Sequence, residues 1–455
     1  PRYTARVLSM SSERSQLLQN GGRSDLRQRT VGLESPKTPA ADMTNLDELI
    51  ETFGFGPFQR KLFVLCGMGH FVDAVEIALM SILFPVLKSE WFAVTNTDLA
   101  SLAAFTNAGM IVGAVVLGSL ADQVGRRPIF QFSLAISSLF GYLGAISPNI
   151  FWLTVCRFFL GIGYGGNIVV DVTLFAEFLP IKNRGLMLVL MHAFFGLGNL
   201  FIVTVAWLVV PTFGWRVLVA ISATPAFLML FARRAIPETP RYLLMHGKHD
   251  EARKVLMEVA RYNNWEEHQV HNLKHLHLGL SHGRPDVASS RLTHMQALGH
   301  LFKMPLVGLL VPLALTWFFN SFAGQMFHWI PLHLSESHND ISNAFKSAML
   351  LALGDIMGAL VMSTIIECNG RLLYLRGGLL LLTGTVFTLG FLQDVDTILI
   401  SIPLLYMFKS AVMSVLYTYT PEAFPTQVRT TGFGVCSSLH RLAPTFAPYV
   451  LAALL

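Results

Sequence analysis

The chain has 455 residues, of which 53% are hydrophobic and only 13% charged, with a mean hydropathy of +0.53. Soluble domains carry about a quarter charged residues, so half that share argues against a soluble enzyme or binding domain and for a polytopic membrane protein. The net charge of +5 requires no nucleic-acid partner, because Lys and Arg in the loops on one side of a membrane give the same excess.

The first stretch, residues 1–57, is polar and Ser/Arg-rich and reads as a disordered cytoplasmic tail without a cleavable signal peptide. Within it, Glu13-Arg-Ser-Gln-Leu17-Leu18 fits an acidic dileucine pattern that a sorting adaptor could read. That pattern would imply delivery to an endosomal, lysosomal or vesicle membrane; the plasma membrane is the alternative location. Apolar runs follow at about 61–87, 98–120, 128–147, 151–178, 186–211, 215–235, 304–333, 344–366, 373–393, 396–420 and 430–455, eleven in all. Most are long enough to cross a bilayer as helices, whereas barrel strands would be half that length. Positive charge alternates between their ends. Arg126/Arg127, Lys182/Arg184, the 233–303 stretch, Arg371/Arg376 and Arg429 follow even-numbered runs, and the opposite loops are short and poor in Lys and Arg. The positive-inside rule puts the N-terminus in the cytoplasm.

A long polar segment, about 236–303, interrupts the series after the sixth run. Its EARKVLMEVARY stretch has Val255, Leu256 and Val259 at helical spacing and predicts a surface helix. Nine of the fifteen histidines fall between His246 and His300, but no pair presents a convincing ligand face with carboxylates alongside. The four scattered cysteines, Cys66, Cys156, Cys368 and Cys436, imply neither a disulfide frame nor a thiol metal site. No cofactor or metal is expected. The expected organisation is a tail (1–57), a six-helix bundle (58–235), a cytoplasmic linker (236–303) and a second helix bundle (304–455).

The chain repeats itself. GMIVGAVVLGSLADQVGR (109–126) returns 245 positions later as GDIMGALVMSTIIECNGR (354–371). Gly109, Gly113, Gly125 and Arg126 recur at 354, 358, 370 and 371, and Asp122 becomes Glu367. At the same offset EFLPIKNR (177–184) returns as EAFPTQVR (422–429). Two matches at one offset indicate a tandem duplication of a six-helix unit, a known transporter plan with substrate held between the halves. The duplication predicts a twelfth helix near 460–480, so the second bundle reads as truncated. Gly109 and Gly113 have the spacing that lets helices approach closely, and Gly125 suits a tight turn.

Ionisable groups inside membrane helices are costly and are functional candidates. They are Asp73 and Glu76 on one face of the first helix, Asp171, Asp355, Lys409 and Arg441, with Asn167, His192, Asn199, Asn320 and Gln325 as polar company. Asp73 could exchange a proton or bind substrate, or form a structural pair with Lys409 or Arg441. Arg441 could hold a carboxylate bidentately. The aromatic stretch WFFNSFAGQMFHW (317–329) could supply a cage for a flat or cationic solute. No G-x-x-x-x-G-K-[ST] loop and no hydrolase constellation is present, so neither ATP coupling nor enzyme chemistry is expected.

GSLADQVGRR (118–127) resembles the signature loop of the major facilitator superfamily, G-x-L-x-D-x-x-G-R-R. Arg157 with Gly161, Gly163 and Gly165 resembles that family's fourth-helix pattern, and PETPRYLL (237–244) resembles the motif after helix six in its sugar and organic-ion porters. AEFLP…RG and YTPEAFPTQVRTTGFGVCSS look like the group of synaptic-vesicle-two-related proteins, organic cation and anion transporters and niacin porters. The short loop after the first helix and the lack of an N-x-[ST] sequon favour the vesicle-protein and niacin-porter side. The resemblance implies an all-α twelve-helix fold that alternates between two openings. It implies that Gly118, Asp122, Gly125, Arg126, Arg127, Arg157, Glu177, Arg184, Glu238 and Arg241 form a gating charge network, with Glu367, Arg371, Glu422 and Arg429 as its counterpart. The second loop, IECNGRLL, has lost one arginine of the pair. The expected activity is secondary active transport of a small organic ion, such as the carboxylate nicotinate, coupled to protons. A facilitative uniporter, a non-transporting vesicle-membrane receptor or scaffold, and a sugar porter are the rivals.

Overall fold

The computed structural model describes residues 43–91, 94–273, 277–279, 299–338, 341–366, 368, 370–392, 394–424 and 428–454. The dileucine residues Glu13, Leu17 and Leu18 and the loop acid Glu367 lie outside them. Among the described residues the fold is all-α except for one parallel pairing of three-residue strands, β1 (Met43–Asn45) and β2 (His277–Gly279), with Met43 opposite His277.

The first half contains α2 (Pro57–Glu90), α3 (Asn96–Val124), α4 (Arg126–Ala145), α5 (Ile150–Phe178) and α6 (Ile181–Ala232). The helix starts follow the local chemistry. Pro57 occupies the first turn of α2, Thr95 and Asp98 close a capping box on α3, and Asn149 caps α5. The long α6 is a hairpin of two legs, 181–213 and 215–232. Gly214 breaks it at φ 75°, ψ 176°, a backbone shape natural to glycine. The return is fixed at both ends: Trp215 donates to Glu90 at 2.8 Å, and Arg233 donates to the Leu65 carbonyl at 2.8 Å.

The second half contains α10 (Leu306–Phe327), α11 (Ile330–His338), α12 (Ile341–Ile365), α13 (Arg371–Leu389), α14 (Val395–Ala423) and α15 (Arg429–Leu454). Asp394 caps α14 by accepting from the N–H and hydroxyl of Thr397, which holds its carboxyl below the usual carboxylate range. The run expected at 304–333 is broken. His328 and Trp329 bond three residues back instead of four, tightening the helix into a turn before α11.

Among the described residues nine helices are long and apolar enough to cross a membrane, and one of these is the α6 hairpin. Large side chains such as Leu208, Phe213, Leu380 and Ile400 stay exposed on the outer wall, as lipid-facing residues should.

The duplication is visible in the packing. A Cβ on Gly109 would strike the Phe158 carbonyl oxygen, and one on Gly354 would strike the Pro403 carbonyl oxygen. Gly113 meets the Ile162 carbonyl in the same way, and Gly358 meets that of Met407. Every residue in the second set lies 245 positions after its counterpart. Gly161 and Gly165 press back on the carbonyls of Thr106 and Met110, so α3 and α5 interlock through glycine on both sides.

The tail expected to be disordered to residue 57 is structured well before that. Leu46, Leu49, Ile50 and Phe53 form the buried face of a short helix, α1 (Leu46–Phe53). The linker expected to be largely solvated supplies α7 (Pro240–Met245), α8 (His249–Tyr262) and α9 (Glu267–Leu273), whose buried Leu243, Leu256, Val259 and Val270 join α1 and the ends of α2 and α5 in one core. Asn263 seals the joint by accepting from the Phe58 N–H at 2.9 Å and donating to Gln59 at 2.9 Å.

Candidate functional site

Two helices of the first half, α2 and α5, run antiparallel and share a ladder of buried polar groups. On α2, Gly69, Asp73 and Glu76 succeed one another about a turn apart; on α5, Asp171, Asn167 and Tyr164 do the same in reverse. At the first rung Asp171 accepts from Arg233 at 2.9 and 3.2 Å, with both side chains fully buried. The Arg233 guanidinium also lies 3.6 Å from the Phe130 ring centroid. Gly69 makes room for the pair, since a Cβ there would overlap the Asp171 carboxylate and the Arg233 guanidinium. At the second rung Asp73 Oδ1 accepts from Asn167 at 2.9 Å. Tyr164 reaches the Val72 and Asp73 carbonyls at 3.3 Å. At the third rung Glu76 accepts from Arg157 at 2.6 Å.

This geometry sorts the acids. Glu76 and Asp171 each have an arginine. Asp73 has only an amide, and its buried Oδ2 has no hydrogen-bond partner among the described residues. The expected structural partners of Asp73, Lys409 and Arg441, make no ion pair with it. Arg157, expected in the gating network, is instead buried beside Glu76, because it projects inward from the middle of the first half.

The second half presents cations. Arg441 on α15 crosses to the first half and donates to the Met110 and Gly165 carbonyls, each at 3.4 Å, at the glycine seam of α3 and α5. Lys409 on α14 lies 5.0 Å over the Tyr406 ring, and the Tyr406 hydroxyl is 3.1 Å from His328 Nε2. Neither cation has a carboxylate within 4 Å among the described residues. Asp355 on α12 is fully buried and accepts from Asn199 of the first half at 3.1 Å, with His192 Nε2 at 3.8 Å. Asn320 is buried, and its amide lies 3.4 Å from the Met413 sulfur. Gln325 is half-buried near the end of α10.

The loop motifs meet at one end of the bundle. Arg126 and Glu177 form an ion pair. The Glu238 carboxylate accepts from the backbone N–H groups of Arg126 and Arg127 at 3.2 and 3.1 Å, capping α4. Gly125 lets it in: its φ is +119°, and a Cβ there would come within 2.6 Å of Glu238 Oε2. Arg127 donates to the Arg234 carbonyl at 2.9 Å, and Arg184 to the Leu179 carbonyl at 3.1 Å. Arg241 pairs outside the expected set, with Asp47 of α1. Gly118 is half-buried in α3. The side chains of Asp122 and Arg429 lie outside the described residues. In the second half Arg371 meets Glu422 at 2.8 Å, which is the Arg126–Glu177 pair moved by 245 positions.

A family model for the major facilitator superfamily matches residues 66–448. The chain belongs to the major facilitator superfamily. It is 30% identical to organic cation/carnitine transporter 7 of Arabidopsis thaliana, covering 90% of this chain and 88% of that one. It is 29% identical to the niacin transporter NiaP of Acinetobacter baylyi, over 88% of each chain. It is also 29% identical to the synaptic vesicle 2-related protein of Xenopus laevis, over 92% of this chain and 77% of that one. Its fold is similar to that of the proton:xylose symporter XylE bound to 6-bromo-6-deoxy-D-glucose, with a TM-score of 0.67 and 18% identity over 87% and 88% of the two chains.

Within this superfamily member, the aromatic stretch does not line one cage. Trp317 is wholly buried against Tyr417, Phe433 and His440 and donates to Thr420 at 2.9 Å, while Phe319 is 61% exposed. A cavity of about 460 Å³ edged by Phe105, Phe151 and Phe159 lies on the apolar outer wall; its acid, Asp98, caps α3. Arg233 was not a sequence candidate. Its signal was an arginine pair at the end of an apolar run, which ordinarily reads as an interfacial anchor.

Proposed function

We propose that this chain is a secondary active transporter that moves a small carboxylate-bearing organic ion by alternating access, coupled to protons, with its Arg126–Glu177 end toward the cytoplasm. The observation that carries the reading is Asp73. It is the one buried acid of the α2–α5 ladder without a cation, and one of its oxygens meets no donor among the described residues. Burying an ionised carboxylate in that state is costly, and taking up a proton removes the cost. The acids spent on arginine, Glu76 and Asp171, have no such need.

Substrate polarity follows from the second half. Arg441 and Lys409 bring two positive charges to the interface with no carboxylate in ion-pair contact among the described residues, and a guanidinium suits a carboxylate bidentately. A. baylyi NiaP is named as a niacin transporter, and niacin is a flat aromatic carboxylate of the kind these groups would favour. The gating pairs fit the same cycle, since exposed or half-exposed ion pairs are weak enough to form in one state and break in the other.

The test is uptake by the reconstituted full-length protein in liposomes, using labelled organic anions, cations and sugars, with and without a pH gradient, beside Asp73→Asn. Gradient-driven accumulation of an anion that is lost in Asp73→Asn is the expected result. Uptake that only equilibrates would replace coupling with uniport. A saturable sugar flux, or no flux for any solute in folded protein, would overturn the proposal.

A further inference from the structure

Among the described residues the buried acid that bonds across the seam between the halves is Asp355, not Asp73. Where the first leg of α6 crosses α12, the backbones nearly touch. A Cβ on Gly196 would come 2.5 Å from Ile356 Cγ1 and 2.9 Å from the Ile356 backbone nitrogen. Next to Ile356 in sequence is Asp355, and Asn199 and His192 flank Gly196 on the facing leg. Asp355 Oδ2 accepts from Asn199 at 3.1 Å; its Oδ1 has no hydrogen bond and lies 3.8 Å from His192 Nε2. His192 stacks flat on Phe195, with ring centroids 5.5 Å apart and planes 7° apart, so its ring is held toward the acid.

We propose that Asp355 is a second proton site, separate from Asp73, whose protonation lets α6 and α12 part. Ionised, the carboxylate draws a charge-assisted hydrogen bond from Asn199 across the seam and attracts the positive charge of Lys409 and of a protonated His192. Protonated, it is a weaker acceptor and loses both attractions. The contact joins opposite halves, so its strength bears directly on their separation. A bond within one half, such as Asp171–Arg233, cannot do this. Among the described residues the charged and titratable groups around it are His192 from α6, Lys409 and Tyr406 from α14, and His328 at the end of α10. Protonating His192 acts in the opposite sense while Asp355 stays ionised, so the release belongs to the acid. Ser410 holds the Asp355 main-chain carbonyl at 3.0 Å and keeps the residue fixed while its side chain changes state. The site is not duplicated. Its positional counterpart in the first half, 245 residues earlier, is Met110.

This inference rests on the chain being a transporter whose halves move, but not on Asp73 or on any particular solute. Its test therefore reads distance rather than flux. Spin labels are placed on the exposed positions Lys182 and Arg376, one in each half, in a cysteine-depleted full-length protein in nanodiscs. Distance distributions are then recorded over a pH series. Wild type should shift between two distributions as the pH is lowered. Asp355→Asn should show the low-pH distribution throughout, with no solute present. Asn199→Ala removes a hydrogen bond to the charged form, so its midpoint should lie above that of wild type. A pH response in Asp355→Asn that superimposes on wild type, or an Asn199→Ala midpoint unmoved in protein that elutes as wild type, would overturn the assignment. The distance readout needs no solute, so a failed uptake assay would count against the proposed transport and not against this site.

Discussion

Replacing Arg233 with methionine should reveal how much the first half depends on a single buried guanidinium. The substitution keeps the volume of the side chain but leaves the fully buried Asp171 carboxylate without its bidentate partner. Breaking a buried pair from one side costs about 3–5 kcal/mol, and the Leu65 carbonyl, which also loses its donor, adds about 1 kcal/mol or more. The total is about 4–6 kcal/mol. At roughly 2.1 cal/mol/K per residue, a chain of 455 residues has an unfolding entropy of about 1 kcal/mol/K, so Tm should fall by about 4–6 °C in nanodiscs. The double variant Asp171→Leu/Arg233→Met removes both charges and should return to within about 2 °C of wild type, since replacing a whole buried pair by apolar groups is close to neutral. Arg233→Lys keeps the charge but loses the fork and the stack on Phe130, and should fall between the two. A single variant that melts with wild type, or a double variant that melts as low as the single, would refute the account of Arg233 as compensation for a buried charge.

Two further outcomes follow from the repeat. Gly109→Val and Gly354→Val each push a branched side chain into a backbone carbonyl of the neighbouring helix, and each should lower Tm and folded yield by similar amounts; valine at Gly377, which has open space around it, is the control, and its Tm should match wild type. Charge reversal of Arg126 to Glu should cut transport several-fold, with partial recovery when Glu177 is changed to Arg. The matching exchange at Arg371 and Glu422 should behave likewise in the same uptake assay, and failure of both exchanges to recover would argue against a pairwise role.

Much of this architecture could be read from the residues. The apolar runs define the membrane helices because no other structure of that length satisfies its backbone in lipid. Repeat and signature loop pointed to Arg126, Glu177, Arg371 and Glu422 as members of a charge network, without saying which would pair, and to the close helix approach at Gly109 and Gly113. What could not be read depends on partners distant in sequence. Eight residues of α1 are too few to register as an apolar run, and their face has meaning only when α8 and α9 lie opposite. Asp73 and Glu76 share a helix face, but which of them receives Arg157 depends on the register of α2 against α5. Arg233 and Arg234 are adjacent and chemically identical, yet one is buried and the other exposed. Only the closing of α6 on its hairpin decides which turns inward. The break at His328–Trp329 lies inside a run apolar enough to read as one span, so hydropathy alone misses it; its mark is Pro331, two residues on.

The cap formed by α1, α8 and α9 has a use that its packing makes concrete. Its buried side chains, Leu46, Phe53, Leu256, Val259 and Val270 among them, belong to one core with residues of the first half, and Asp47–Arg241 and Asn263–Gln59 fasten it further. It is cargo bolted to one side of the machine. A small antibody fragment raised against the cap would add a rigid fiducial to the first half without entering the seam. Its tilt against the second half, followed image by image, would report the angle through which the halves rotate.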